Sequence, residues 1–416
     1  MSVTAKVTVT LEQPVHAGTG PLPDYRHPTH HHIPGSVLRG ACAAAWIRAL
    51  GTPEPGTAHR QPFIEAFESD GGFGPLHRAG SLPVPVSVLV HKYQEEQGCQ
   101  RLWWDRSLGA QDTECPDCSQ NLEAAKGEPH ERPVRLQRTR AALSTDGVAE
   151  DEKLYRKDSL DRRQVFTGWI SAGAVGAFEV GGEPLRRLWL GGGRSTGGLA
   201  RVTVDPDAQP EELETDGSAV ILRLASPAIF VDAAGLPTDV PSTAELHRTL
   251  GVNVLSVVHW MRWGEAAGWH AAAGLAKPTE RVVAAGSTYR VQCDRPPSSQ
   301  ALRALRVRGV GLRRREGFGA LCPPLEPPRP WGYYADVVRP LRELRLVAQL
   351  VDRLRARRAV LDSGAADDPF LLQLPGKLPA EAGAALRLVL GIRYPGEYEQ
   401  VLDHLDPAQQ LVSVTP

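Results

Sequence analysis

Apolar and polar positions alternate from the start of the chain. Val7, Val9 and Leu11 fall on one face of Lys6 to Leu11, the period of a half-buried strand. A loop rich in Gly, Pro and His follows, His16 to His32, and then the pattern lengthens to IPGSVLRGACAAAWIRAL, Ile33 to Leu50. Pro34-Gly35 breaks the chain, Ser36 is placed to cap, and Val37 to Leu50 is expected to be a helix. The N-terminus of such a helix offers free N–H groups to an anion, with Arg39 in its first turn; a capped core helix is the plainer reading.

Pro53 to Pro83 reads as loop-rich and Val84 to Val90 as an apolar strand. Tyr93 to Arg132 is polar and short of apolar residues, as an insertion would be. Val134 to Asp161 mixes charges densely, with Arg138 and Arg140 before a loop and Lys153, Tyr155, Arg156 and Lys157 after it. Two readings stand open: a solvated hairpin, or a protruding arm that lies along a polymer. Val165 to Ile170 is expected to be a strand and Glu183 to Leu188 a short helix.

The glycine-rich stretch LWLGGGRSTGGLARV, Leu188 to Val202, comes next. Gly191, Gly192, Gly193, Arg194, Ser195, Gly197 and Gly198 would suit a phosphate chain, through main-chain N–H groups and one guanidinium. After an acidic linker, Asp205 to Gly217, the pattern restarts with a strand at Val220 to Leu224. Arg281 to Ala285 and Thr288 to Cys293 read as strands, the first in the place of Gln164 to Ile170, and Pro297 to Val307 reads as a helix. A second Gly/Arg loop ends this half, carrying Arg308, Arg313, Arg314, Arg315, Gly317 and Gly319.

Each half thus runs strand, helix, strands, helix, Gly loop, strand, the order of a ferredoxin-like unit. The fold expected is α+β: two tandem ferredoxin-like (RRM-like) domains at 1–204 and 218–322, an insertion at about 93–132, and a helical C-terminal region at 331–416. That last region follows a Pro-rich hinge, Pro323 to Pro330. Its helices are expected at Val337 to Leu361, Ala380 to Leu390 and Tyr394 to Leu405.

Composition adds constraints. The net charge of −1 gives no global basicity, so any polyanion surface must be a local patch. No apolar run is long enough to span a membrane, and no signal peptide is visible at Met1 to Leu11. Six cysteines without a secretory signal point to a reducing cytoplasm. Cys99, Cys115 and Cys118 give C-x15-C-x2-C, and with His130 or His91 they would complete a structural zinc site. The deaminase signature is absent, since no H-x-E lies upstream, and no Walker, HExxH or G-x-S-x-G motif occurs.

The element IPGSVLRG at Ile33, paired with GGGRSTGGLARV, resembles the RAMP superfamily of CRISPR-associated RNA-binding proteins. Gly147 to Ile170 and the second loop, Gly311 to Leu321, are most similar to its type III-D two-domain member. The resemblance covers roughly Met1 to Leu321. It implies a subunit of a type III effector complex, built around CRISPR RNA with other subunits, meeting target RNA only indirectly. In that setting the RNA contacts would fall on Gly35, Ser36, Arg39, Arg138, Arg140 and the two Gly/Arg loops, holding the 5′ handle of the guide without catalysis. Some relatives cleave RNA with a loop aspartate, a place that Asp24 takes here, and others use a histidine, for which His27, His30, His31 and His32 are present. Two other readings therefore remain: a ribonuclease of the same superfamily, and a zinc-stabilised scaffold whose Gly loops are only hairpins.

Overall fold

The structure is a computed structural model. It describes residues 4–20, 25–68, 71–92, 104–110, 113–115, 119–126, 132–143, 149–192, 197–270, 274–325, 334, 337–344, 346–363, 379–390, 392, 401–402 and 405. Asp24, Cys99, Cys118, His130, Gly193, Arg194 and Ser195 lie outside these residues, as does most of the helix expected at Tyr394 to Leu405.

The first half is built on the strand Ala5–Leu11, flanked on both sides by antiparallel partners, Leu199–Asp205 and Val165–Ile170. Arg187–Trp189 pairs outside Leu199–Asp205. At the opposite edge, residues 72–77 run beside Val165–Ile170: the Thr167 N–H donates to the His77 carbonyl at 2.8 Å, and the Gly74 N–H donates to Trp169 at 3.0 Å. The order last–first–third–second is that of a ferredoxin-like sheet. Val7, Val9 and Leu11 point inward onto Leu38, Cys42 and Trp46 of the helix Gly35–Leu50, as the alternation predicts.

Local expectations met corrections here. Pro34, not Ser36, is the N-cap, and the helix begins at Gly35. A helix at Arg60–Phe67 forms inside the stretch expected to be loop-rich and buries Ala66 and Phe67. Glu183 to Leu188 is not helical: Gly181 and Gly182, both at positive φ, turn Glu179–Val180 back onto Glu183–Pro184. The second helical position is filled instead by a short helix, Ala172–Val175, and a 3-10 turn, Gly176–Phe178. The Trp46 indole N–H donates to the Ala177 carbonyl at 3.2 Å and ties that turn to the first helix.

The second half repeats the arrangement. Ala219–Arg223 pairs with Thr288–Cys293, which pairs with Val254–Trp260. On its other side, Thr215–Asp216 and Leu321 share the edge. Helices Thr243–Leu250 and Ser299–Arg308 cover one face, each with a serine at its N-cap: Ser242 accepts from the Glu245 N–H and Ser298 from the Ala301 N–H. Thr288–Cys293, not Arg281 to Ala285, is the counterpart of Val165–Ile170.

Both halves carry a long hairpin just before that third strand. The first arm pairs Arg135–Leu143 with Ala149–Leu160; the second pairs Trp263–His270 with Leu275–Val283. The second arm was not legible as such in the sequence.

The insertion forms a three-stranded sheet, Trp104–Asp105 and Leu122–Ala124 on either side of Val88–His91. It lies against the second half. The Val86 N–H donates to Gly286 at 2.8 Å, and Arg290 donates to the Ser107 carbonyl at 2.7 Å. Arg223, 3% exposed, meets Asp105 at 2.8 Å and also Glu214. The C-terminal helices have a core of their own, with Leu350, Leu354, Leu386 and Val389 buried together.

Candidate nucleic-acid interface

Side chains alternate across a strand, so register decides which charges share a face. In the first arm Arg138 lies opposite Lys157, Arg140 opposite Tyr155, and Leu136 opposite Ser159. These six side chains share one face. Asp158 belongs to the other, where it meets Arg135 at 3.8 Å and Gln137 at 3.1 Å. Between residues 135–141 and 154–160 the first face therefore holds three cations and no carboxylate. Like charges directly opposite one another are unfavourable in a sheet. Burial, then the nearby Arg140 guanidinium, pushes the Lys157 amine below its ordinary value. A fold that tolerates this cost leaves room for a polyanion.

This face opens onto the first Gly loop. Arg138, Arg140, Lys157, Leu136 and Ser159 line a shallow, open cleft with Pro14, His16, Gly192 and Gly197. His16 Nδ1 lies 2.6 Å from the Asp158 carbonyl oxygen. Burial is the largest influence on this imidazole and lowers its pKa, and Lys157 and His27 push it the same way.

Three of the loop's described glycines meet the chain itself. A Cβ on Gly191, whose φ is 68°, would overlap the His16 carbonyl oxygen, so this position needs glycine for close backbone approach. The Gly192 N–H donates to His16 at 3.0 Å and the Gly198 N–H to Pro14 at 2.9 Å. These two donors are spent on protein. They form the wall of the cleft; among the described residues its charge comes from the arm.

The second Gly/Arg loop occupies the seam between the halves. Gly317 faces Gly35 so closely that a Cβ on Gly35 would overlap the Phe73 carbonyl oxygen and sit 2.8 Å from Gly317 Cα. Its arginines have internal carboxylate partners. Arg313 meets Glu280 and, at 2.7 Å, Glu316; Arg314 meets Glu245; Arg315 meets Glu68 at 3.5 Å; and Arg308 lies 3.8 Å from Glu245. Arg39 pairs with Glu68 as well, at 2.5 Å. The Gly319 N–H donates to Pro227 at 2.8 Å. Sequence reading placed Gly35, Ser36, Arg39 and this loop on RNA. The structure draws Gly35, Arg39 and this loop together at an intramolecular junction, where carboxylates far away in the chain meet the arginines, and leaves Ser36 exposed. It brings Lys157 and His16, absent from that set, into the cleft with Arg138 and Arg140.

The histidine loop is folded inward. His30 and His32 have ring centroids 5.1 Å apart, and His32 stacks on His77 at 4.8 Å. Burial pushes the His30 and His77 rings down to about 4. Between that value and the ordinary 6.5 the unfolded chain binds more protons than the folded one. Stability should therefore be fully present above pH 6.5 and fall as pH drops toward 4. For His77 alone the loss is about 3 kcal/mol. Urea midpoints measured from pH 7.5 to 4 check this, and a His77→Phe variant should flatten the slope.

Of the expected zinc ligands, Cys115 and the alternative His91 are described, and the His91 ring lies 5.1 Å from that of Trp104. Cys115 is buried beside Leu89 and Trp104, in a turn where the Ser119 N–H donates to its carbonyl at 2.7 Å. Among the described residues no group of three His, Cys, Asp or Glu side chains is placed to hold a metal. Among those residues, too, no helix is long and apolar enough to cross a membrane.

No family model matches the chain, and no curated protein does. Several solved structures are similar at low identity. A chain of the type III-B Cmr-beta complex bound to cognate target RNA and AMPPnP is 11% identical, with a TM-score of 0.37, covering 68% of this chain and 86% of that one. A Cas6-related protein of Pyrococcus furiosus is 8% identical, with a TM-score of 0.32, covering 77% and 98%. A RAMP protein binding different RNA substrates is 9% identical, with a TM-score of 0.29, covering 77% and 98%. Likeness at this level carries no functional argument, so the functional reading rests on the residues of the cleft.

Proposed function

We propose that the chain binds single-stranded RNA along the cationic face of its first arm. In this reading it is a non-catalytic RAMP-superfamily subunit of a type III CRISPR effector complex and holds the 5′ handle of the guide. The observation that carries the binding is the face itself: Arg138, Arg140 and Lys157 together, with no carboxylate on that face between residues 135–141 and 154–160, at the mouth of a cleft. Phosphate contacts of this kind fix a strand in position without reading its bases. The CRISPR setting rests on the IPGSVLRG and Gly-loop resemblance. A structural zinc on Cys99, Cys115, Cys118 and His130 belongs to the same reading, and metal analysis of the purified protein checks it.

The test is titration of a fluorescent repeat-derived RNA across a salt series. Arg138→Ala with Lys157→Ala should weaken binding about 10- to 100-fold and reduce the salt slope by about 2. Arg313→Ala, in the seam, should leave that slope unchanged. Equal slopes in the wild type and the arm variant would refute the proposal.

A further inference from the structure

The cationic face ends in aromatic rings. The two-residue strand Arg26–His27 runs parallel to the second strand of the first arm, with Arg26 opposite Arg156 and His27 opposite Lys157. His27 therefore shares the face of Lys157, Arg138 and Arg140, and its ring lies 5.1 Å from that of Tyr155. Tyr25 precedes this strand, and its carbonyl accepts the Arg156 N–H at 3.0 Å, which fixes it against the arm. Tyr25 is 63% exposed.

Its backbone is also unusual. Tyr25 has a φ of 58°, in the left-handed region that a β-carbon disfavours and glycine adopts freely. A large aromatic residue has no packing reason to stand there, since most of its surface is in water. Strain of this kind clusters at functional sites, although Arg313 in the seam shares the conformation.

Resting on the RNA-binding reading above, we infer that Tyr25 and the His27–Tyr155 ring pair form a stacking platform for an unpaired nucleobase, next to the phosphate-binding cations. Arg140 and Tyr155 face each other across the arm, so a strand whose phosphate meets Arg140 brings its base to the ring pair. Every base has a π-face, so the platform accepts any sequence and selects against duplex, whose bases are already stacked. The ligand class is single-stranded nucleic acid with at least one base turned out of its stack.

The experiment uses the full chain and three probes: a short oligouridylate, an abasic ribose-phosphate strand of the same length, and an oligonucleotide carrying one 2-aminopurine. Tyr25→Gly relieves the left-handed backbone, so its Tm should equal or exceed that of the wild type. It should nonetheless bind oligouridylate about 10-fold more weakly and lose the quenching of 2-aminopurine. Its affinity for the abasic strand should not change, and Tyr25→Trp should retain binding and quenching. Wild-type affinity and quenching in Tyr25→Gly would overturn the platform, and so would an equal loss on the abasic strand. Arg138→Ala with Lys157→Ala separates the two levels. If that variant weakens abasic binding while Tyr25→Gly changes nothing, only the platform falls; if abasic binding is unaffected, the RNA-binding reading falls with it.

Discussion

Asp105→Ala should destabilise the protein by about 3–5 kcal/mol, the usual cost of removing one partner from a buried ion pair. Arg223 is 3% exposed and sits between Asp105, from the insertion, and Glu214, from the segment before the second half's first strand. Glu214 alone would have to balance a guanidinium that also loses its contact with water. The Arg223 Nε already lacks a hydrogen-bond partner, so the site has little reserve. Burial pushes the Asp105 carboxyl up, but Arg223 and the Ser87 and Ser107 hydroxyls outweigh it and hold the group below its ordinary 3.8. Its contribution is accordingly present above that value and lost as pH falls further. The measurement is a urea titration at pH 7 followed through Trp260, whose ring lies 5.9 Å from the Arg106 guanidinium of the same junction. A loss under about 1 kcal/mol would mean that the pair is solvated in solution and that the insertion does not fasten the halves together.

Gly35→Ala should cost about 3 kcal/mol or more, above the ordinary range for overpacking, because both neighbours are backbone and neither can rotate away. The added methyl would overlap the Phe73 carbonyl on the sheet edge and press on Gly317 across the seam. Gly40→Ala supplies the control. Gly40 lies in the same helix, and a methyl added there would meet nothing within 4 Å, so that change should stabilise by about 0.5–1 kcal/mol. Opposite signs for two Gly→Ala changes five residues apart separate seam packing from helix propensity. Thermal unfolding of both variants decides it, and matching shifts would mean that the seam is loose.

Acid should act on the same seam. Burial raises the Glu316 carboxyl, but hydrogen bonds and charge from Arg313 and Lys277 bring it down to about 2. Its stabilisation is complete above the ordinary 4.5 and is lost toward pH 2, below the window in which the buried histidines act.

Much of the element layout was legible because its signals are local. Alternation in Lys6 to Leu11 required one buried face, and the Pro34-Gly35 break before Val37 to Leu50 marked the start of a helix. The helix read at Pro297 to Val307 forms at Ser299–Arg308, within two residues at each end. Local signals misled where glycines could serve either hairpin or helix end, as at Glu183 to Leu188.

The candidate site divides the same way. Arg138 and Arg140 announced a charged strand face by their spacing, but no pattern within the strand shows what stands opposite. Pairing set Lys157 there and turned Asp158 to the other side. The second Gly/Arg loop looked equivalent in sequence, with more arginines. Its charges are satisfied by Glu280, Glu245 and Glu68, at separations of 33, 69 and 247 residues. Sequence by itself determined the first strand and main helix of each half and the third strand of the first, because those follow from signals between close neighbours in the chain. Tertiary structure decided which of the described cations meet a carboxylate, because a charge is cancelled by whatever lies within a few ångströms, and chain distance does not measure that.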